Sequence, residues 1–275
     1  MTVFAGCLTQ ESRQKLENEN LVLIGKIFPV ELDVTNEESV IAAKEYVQAK
    51  MLPGQYFWAL VNNAGYFAWF GPDAWLSIEH YQNSMNTNVY GMIRCVHAFL
   101  PLIKQSQGRI VSMSSVSGRY PQAHGITYCM AKYAVEVYMD GIRQELRPYS
   151  ITCCMLEPGA FNTNFLSMTA MKQRVEDVWN QLSPDMQQEY GLDFKEKYLQ
   201  DFEALIQSSS SKLHKVVDAY QHAITGSWPR LRYRIGWDCQ MLVSLSFLPT
   251  ELSDLALRFL FNTYRVPAIL QKKMK

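Results

Sequence analysis

The chain carries two Tyr-x-x-x-Lys pairs, Tyr46–Lys50 and Tyr128–Lys132. On a helix, residues four apart share a face, so the ammonium sits beside the phenol. A positive neighbour favours the phenolate and lowers a tyrosine pKa from its free value near 10. Such a phenol can exchange a proton near neutrality. With 15 tyrosines in 275 residues, about one such pair is expected by chance, so context must separate the two. Ser115 lies before Tyr128 at the end of the run RIVSM, where a hydroxyl can hydrogen-bond a substrate oxygen. Asn88 falls inside a helical stretch, where asparagine has poor propensity and needs a reason. Its bland reading is a polar residue on a solvated helix face. Tyr46–Lys50 reads as the decoy.

The elements that must position these side chains follow from periodicity. Residues 2–8, 27–34, 57–61, 109–113 and 151–156 read as apolar strands. Helices are expected over 11–19, over 37–50 behind the N-cap Asn36, over 78–104 and over 128–146. Alternating strands and helices specify an α/β fold, a doubly wound parallel sheet of Rossmann type. Ligand sites in such sheets lie at the carboxyl ends of the strands. DVT, NNAG, SSVSG and EPG each follow a strand end, which places them around one shared site. Beyond Gly159 the pattern becomes helical, with a loop at 208–211. The expected layout is a single domain: a core over 1–160, a substrate lid over 161–230 and a C-terminal helical region over 231–275.

Composition narrows the function classes. Lys plus Arg and Asp plus Glu are 26 each, so there is no basic excess for a nucleic-acid backbone. Six cysteines show no C-x-x-C pair and read as reduced, buried thiols of an intracellular protein. No charged-then-apolar leader is visible. The segment 241–261 is the longest apolar stretch, but Pro249, Glu251, Asp254 and Arg258 interrupt it. It can pack or lie on a membrane, not cross one. A serine hydrolase would need G-x-S-x-G and a zinc enzyme H-E-x-x-H or paired cysteines; neither pattern is present. No metal site is expected.

NNAG at residues 62–65, Asn88 in NTNVYG, Ser115 in SSVSG, Tyr128-x-x-x-Lys132 and Pro158–Gly159 resemble, in order and spacing, the short-chain dehydrogenases/reductases. The resemblance covers nearly the whole chain. It implies an NAD(P)-dependent oxidoreductase interconverting an alcohol and its carbonyl, with Asn88, Ser115, Tyr128 and Lys132 as catalytic tetrad. Tyr128 would exchange the hydroxyl proton, Ser115 would polarise the carbonyl, and Lys132 would bind the nicotinamide ribose. Asn88 would hold a water linking lysine to solvent. Asp33 would stand near the adenine, while Asn62, Asn63, Ala64, Gly65, Pro158 and Gly159 would line the cofactor cleft. The cofactor implied is NAD, with NADP as the other option, since the turn after the first strand offers no cation before Arg13. TVFAGCL, WALVNNAG, LEPGAF and RYRIGWD look like the group of retinol dehydrogenases, 17β-hydroxysteroid dehydrogenases and mitochondrial D-3-hydroxybutyrate dehydrogenase. A small apolar alcohol or ketone, or 3-hydroxybutyrate, would be the substrate. Homo-oligomerisation and peripheral contact with endoplasmic reticulum or mitochondrial membranes are implied as well, with the cytosol as the remaining option.

One departure stands out. The family's cofactor loop, T-G-x-x-x-G-x-G, has no counterpart here. The strand at 2–8 corresponds to the family's second strand, so the expectation is a sheet lacking the first strand–glycine loop–helix unit, about 30 residues. The strands at 2–8 and 27–34 would then lose their bridge to the strand at 57–61. A catalytically impaired binding or dimerisation partner is the alternative function. Phe161, Phe165, Met168 and Met171 are candidates to line an apolar pocket or simply to pack the lid; His214 and His222 receive no role.

Overall fold

The computed structural model describes residues 1–19, 26–68, 70–261 and 266–273. Strand β1 (Thr2–Cys7) leads through α1 (Gln10–Glu19) to β2 (Lys26–Glu31), which pairs with it in parallel register from Thr2↔Lys26 to Cys7↔Glu31. The second sheet is also parallel, in the order β3 (Ala59–Asn62), β4 (Arg109–Met113), β5 (Thr152–Pro158), β6 (Arg232–Ile235). Among the described residues the β1–β2 pair and the four-stranded sheet are separate.

Alternation along the central strands explains why helices cover both faces. Ile110, Cys153 and Met155 point to a core shared with α2 (Glu37–Lys50), α4 (Gly91–Ser106) and α5 (Ile126–Glu145). Val111, Cys154 and Leu156 point the other way, onto α9 (His214–Thr225) through Val216, Ala219 and Ala223. Arg109 fastens α9, donating to the carbonyls of Ala223 and Gly226, each at 2.6 Å. All six cysteines are buried and free. Asn36 caps α2 as expected, its side chain accepting from Ser39 N at 3.1 Å.

Three departures from the sequence reading have physical reasons. The helix expected over 78–104 is two helices, α3 (Ile78–Met85) and α4, joined by a π-turn at Asn86–Tyr90. The extra residue turns Asn88 into the protein, where its amide bonds backbone. The region 231–275 is not wholly helical. RYRI forms the edge strand β6, whose alternate residues Tyr233 and Ile235 are buried, a four-residue pattern too short to stand out. The segment 161–230 also divides. Helices α6 (Met168–Gln181), α7 (Pro184–Tyr190) and α8 (Leu192–Ser208) form an aromatic layer near Tyr128, whereas α9 lies on the sheet.

Candidate active site

Tyr128 stands in the first turn of α5, 5% exposed. Phe67 meets it edge-on with ring centroids 5.1 Å apart, and Phe165 lies 6.1 Å away. Phe202 of α8 backs Phe67 at 5.8 Å. This cover pushes the phenol pKa up, opposite to the direction expected from the lysine pair alone. Burial dominates, while the hydrogen bond with Ser115 pulls the other way.

Ser115 follows β4, where its Oγ accepts from Ser117 N at 3.1 Å and caps a short 3-10 turn. Lys132, one turn along α5, donates from Nζ to the Met113 carbonyl at 3.0 Å. Its burial lowers the amine pKa to about 8, partly opposed by the Glu136 carboxylate another turn along. The decoy pair has nearly the same internal geometry. Lys50 Nζ lies 5.7 Å from the Tyr46 ring centroid and Lys132 Nζ 5.6 Å from that of Tyr128. Burial and Ser115 distinguish them.

Asn88 is buried, not solvated. Its Nδ2 donates to the carbonyls of Tyr66 and Ser84, both at 3.0 Å, and its Oδ1 accepts from Tyr66 N at 3.0 Å. Both amide protons are committed, which leaves the second lone pair of Oδ1 for a water. Its structural effect is to lock the end of the NNAG turn. A Cβ on Gly65 would approach that Oδ1 to 3.2 Å, so glycine permits the close fit.

The remaining expected residues divide between the site and its periphery. Asn62 Nδ2 donates to Ser112 Oγ at 3.1 Å and ties β3 to β4. Asn63 Oδ1 accepts from Tyr220 OH at 2.8 Å, while Ala64 joins Asn62, Asn63 and Asn88 along one cleft. Pro158 ends β5. A side chain on Gly159 would collide with the Asp238 carboxylate, which accepts from Ala160 N at 2.6 Å. Asp33 accepts from Thr35 N and Thr35 Oγ1 at 2.8 and 2.7 Å. It lines a separate surface depression with Thr35, Glu37 and Glu38. Among the pocket candidates, Met168 and Met171 belong to the aromatic layer and Phe165 meets it through Phe67 and Tyr128, whereas Phe161 packs with α9 and the sheet.

Sequence reasoning missed Phe67, Phe202, Tyr220 and Asp238. It also missed an ion cluster behind Lys132: Arg232 pairs with Glu136, Asp140 and Glu157, and Arg234 with Glu157. A signal existed for this cluster. Glu136 and Asp140 continue the four-residue spacing of Tyr128 and Lys132, and Glu157 interrupts an apolar strand.

A family model described as short chain dehydrogenase matches residues 1–174. A 3beta-hydroxysteroid dehydrogenase of Caenorhabditis elegans, dhs-16, is 41% identical, over 100% of this chain and 74% of its own length. The 17-beta-hydroxysteroid dehydrogenase type 6 of Bos taurus is 36% identical, over 92% of this chain and 79% of its own. The fold is similar to that of a short chain dehydrogenase/reductase from Burkholderia phymatum crystallised with NAD. That similarity has a TM-score of 0.73 at 19% identity, over 93% of this chain and 86% of that one.

Proposed function

The chain belongs to the short-chain dehydrogenase family, in the branch of retinol and hydroxysteroid dehydrogenases, and is an oxidoreductase; from that premise we propose that it interconverts a hydroxysteroid or retinoid alcohol and its carbonyl. The observation that carries the substrate class is the aromatic cover of Phe67, Phe165 and Phe202 at Tyr128. An apolar body would be desolvated there while its oxygen reaches the phenol and Ser115.

NAD is the proposed cofactor, with NADP as the other option, and supplies the hydride acceptor or donor when bound. The residues fit its nicotinamide–ribose half. Lys132 uses one N–H on Met113 O, leaving two donors on its ammonium for ribose hydroxyls. Asn62, Asn63, Ala64 and Gly65 would line the same side, with Pro158 and Gly159 at the end of β5. Among the described residues no glycine-rich turn opens α1 for the pyrophosphate, and Asp33 is bonded into its own turn.

In this reading Tyr128 donates its proton to the carbonyl oxygen in reduction and accepts one from the alcohol in oxidation. Ser115 orients that oxygen. Lys132 stabilises the phenolate, and Asn88 acts as a positioning residue by locking the turn at Tyr66. The separation of the two sheets favours a second reading, an impaired enzyme retained as a binding or dimerisation partner. A fluorescence titration of the folded chain with NADH separates the two. Saturable binding followed by steroid or retinoid turnover supports the enzyme; absence of binding by folded protein overturns it.

We also propose peripheral membrane contact and homo-oligomerisation, both on family grounds. No described helix is long and apolar enough to cross a membrane. The contact surface would be α10 (Trp237–Leu245), α11 (Thr250–Phe261) and the turn between them, where Trp237, Phe247 and Phe259 are exposed.

A further inference from the structure

Lys132 shares its face of α5 with acidic residues that the reaction leaves unused. Glu136 stands one turn beyond it and Asp140 two turns. Lys132 and Glu136 are 2% and 4% exposed. The turn after Ser115 settles directly on this face. A Cβ on Gly118 would come within 2.8 Å of the Lys132 carbonyl oxygen, 2.9 Å of Ser114 Oγ and 3.0 Å of Glu136 Cγ, so glycine lets the two segments meet.

Glu136 is incompletely neutralised. Arg232 of β6 bonds its Oε2, but the same guanidinium also serves Asp140 and the fully buried Glu157. Glu136 Oε1 is buried and, among the described residues, has no hydrogen-bond partner. The outer cations are engaged elsewhere, Arg143 with Asp140 at 3.2 Å and Arg234 with Glu157 at 3.3 Å. The remaining titratable neighbours are neutral near pH 7. Burial raises the pKa values of Tyr128, Cys129 and Tyr133. The Cys239 thiol, which donates to the Glu157 carbonyl at 3.0 Å, is pushed up to about 12. Toward Tyr128, the cation next to Glu136 is Lys132.

An ammonium under this much cover favours its neutral form. The Met113 carbonyl that accepts from it offers a dipole, not a full charge. A carboxylate one turn away restores the preference for the cation, and little water is present to screen it. We propose that Glu136 is a positioning residue for the reaction: its carboxylate, only partly neutralised by the shared Arg232, holds Lys132 in the ammonium form that the Tyr128 phenolate and the ribose hydroxyls need. The proposal rests on the roles given above to Tyr128 and Lys132. Burial and the Glu157 charge raise the Glu136 pKa, yet it stays below that of Lys132. The carboxylate therefore forms before the ammonium is lost.

The test is a pH titration by NMR of the full chain, isotope-labelled at the lysine ε carbons, with the Lys132 signal identified by its loss in Lys132→Arg. It needs neither cofactor nor substrate. In the wild type the signal should titrate with a midpoint of about 8. Glu136→Gln keeps the shape and removes the charge; it should lower the midpoint by about one pH unit. Glu136→Asp changes the length and keeps the charge; it should return the midpoint toward the wild-type value. Asp140→Asn, at the outer end of the cluster, should move it much less. An unmoved midpoint in folded Glu136→Gln would overturn the proposal, as would a midpoint in Glu136→Asp equal to that in Glu136→Gln. If Glu136→Gln does not fold, the wild type still decides: its Lys132 signal must show a smaller inflection at lower pH as Glu136 ionises, and a single-step curve would overturn the proposal. Absence of NADH binding together with the expected midpoint shift would overturn the catalytic reading alone.

Discussion

Lys132 lies one helical turn beyond Tyr128 on α5, with its Nζ 5.6 Å from the centre of the phenol ring and both side chains buried. The exposed Lys50 repeats that spacing against Tyr46 without the burial. A charge acts strongly on its neighbour only where water does not screen it, so the two pairs differ in chemical consequence. Under conditions where the chain turns over an alcohol substrate, Tyr128→Phe should reduce kcat by about 10²-fold or more. Tyr46→Phe should leave it unchanged. Steady-state kinetics of both variants check this, and equal activity of wild type and Tyr128→Phe would remove the assignment.

The pair was legible in the sequence because helical spacing and strand-end motifs depend on local chemistry. SSVSG and EPG fall at the ends of β4 and β5, where the alternation of RIVSM and TCCMLEP against two helical layers puts them. Residues that act across the fold were not legible. Phe67 reaches Tyr128 from the loop after β3, and Asp238 reaches Ala160 from a helix 78 residues away. The π-turn at Asn88 depends on an asparagine satisfied by the Tyr66 backbone, a partner that only the folded chain supplies. The sequence also predicted a lowered tyrosine pKa. Burial under aromatic residues contributed by distant segments reverses that direction.

Lys132 supplies a test that needs no substrate. Its amine has a pKa of about 8 in the fold against 10.5 when free, so the unfolded chain binds the proton more tightly. The cost of burying the charge is fully present below pH 8 and fades as pH rises from about 8 to 10.5. Lys132→Met should therefore be more stable than wild type at pH 7, by up to about 3 kcal/mol. The advantage should shrink toward pH 10.5. Urea unfolding across this window measures it, and an advantage that does not change with pH would show that the lysine is not desolvated.

Phe165 touches Tyr128 while remaining 40% exposed, so it can contact substrate without being central to the core. Phe165→Ala should raise KM for an apolar alcohol by about tenfold, the loss of roughly 1–2 kcal/mol of apolar contact. The kcat should change less. Phe202→Ala, at a buried position, should instead destabilise the protein by about 3–5 kcal/mol. Comparing the KM change of one variant with the thermal unfolding of the other separates substrate contact from packing.

The segment from Trp237 through Phe261 was readable either as core or as a membrane surface. Phe259 is 89% exposed, Trp237 77% and Phe247 70%, which removes the core reading for these three. Replacing Phe247 and Phe259 together with serine should lower partitioning onto anionic liposomes by at least about tenfold. Thermal stability should stay unchanged. Flotation that is equal for wild type and the double variant would rule out this surface.

Arg232 reaches Glu136, Asp140 and Glu157 together. Glu157 is fully buried and Glu136 nearly so. Burial and the Glu157 charge hold the Glu136 carboxyl above its usual range even with Arg232 present. Removing the guanidinium leaves two buried carboxylates facing each other, a loss of about 3–5 kcal/mol. The loss has a definite pH dependence. A carboxylate with a raised folded pKa contributes stability below its unfolded value near 4.5 and loses it as pH rises through the folded value. Arg232→Met should therefore be close to wild type near pH 4.5 and much weaker at pH 7. Adding Glu136→Gln should recover part of the deficit at pH 7, because one of the unpaired charges is gone. A deficit independent of pH, or no recovery in the double variant, would show that Arg232 stabilises the protein through packing and not through charge.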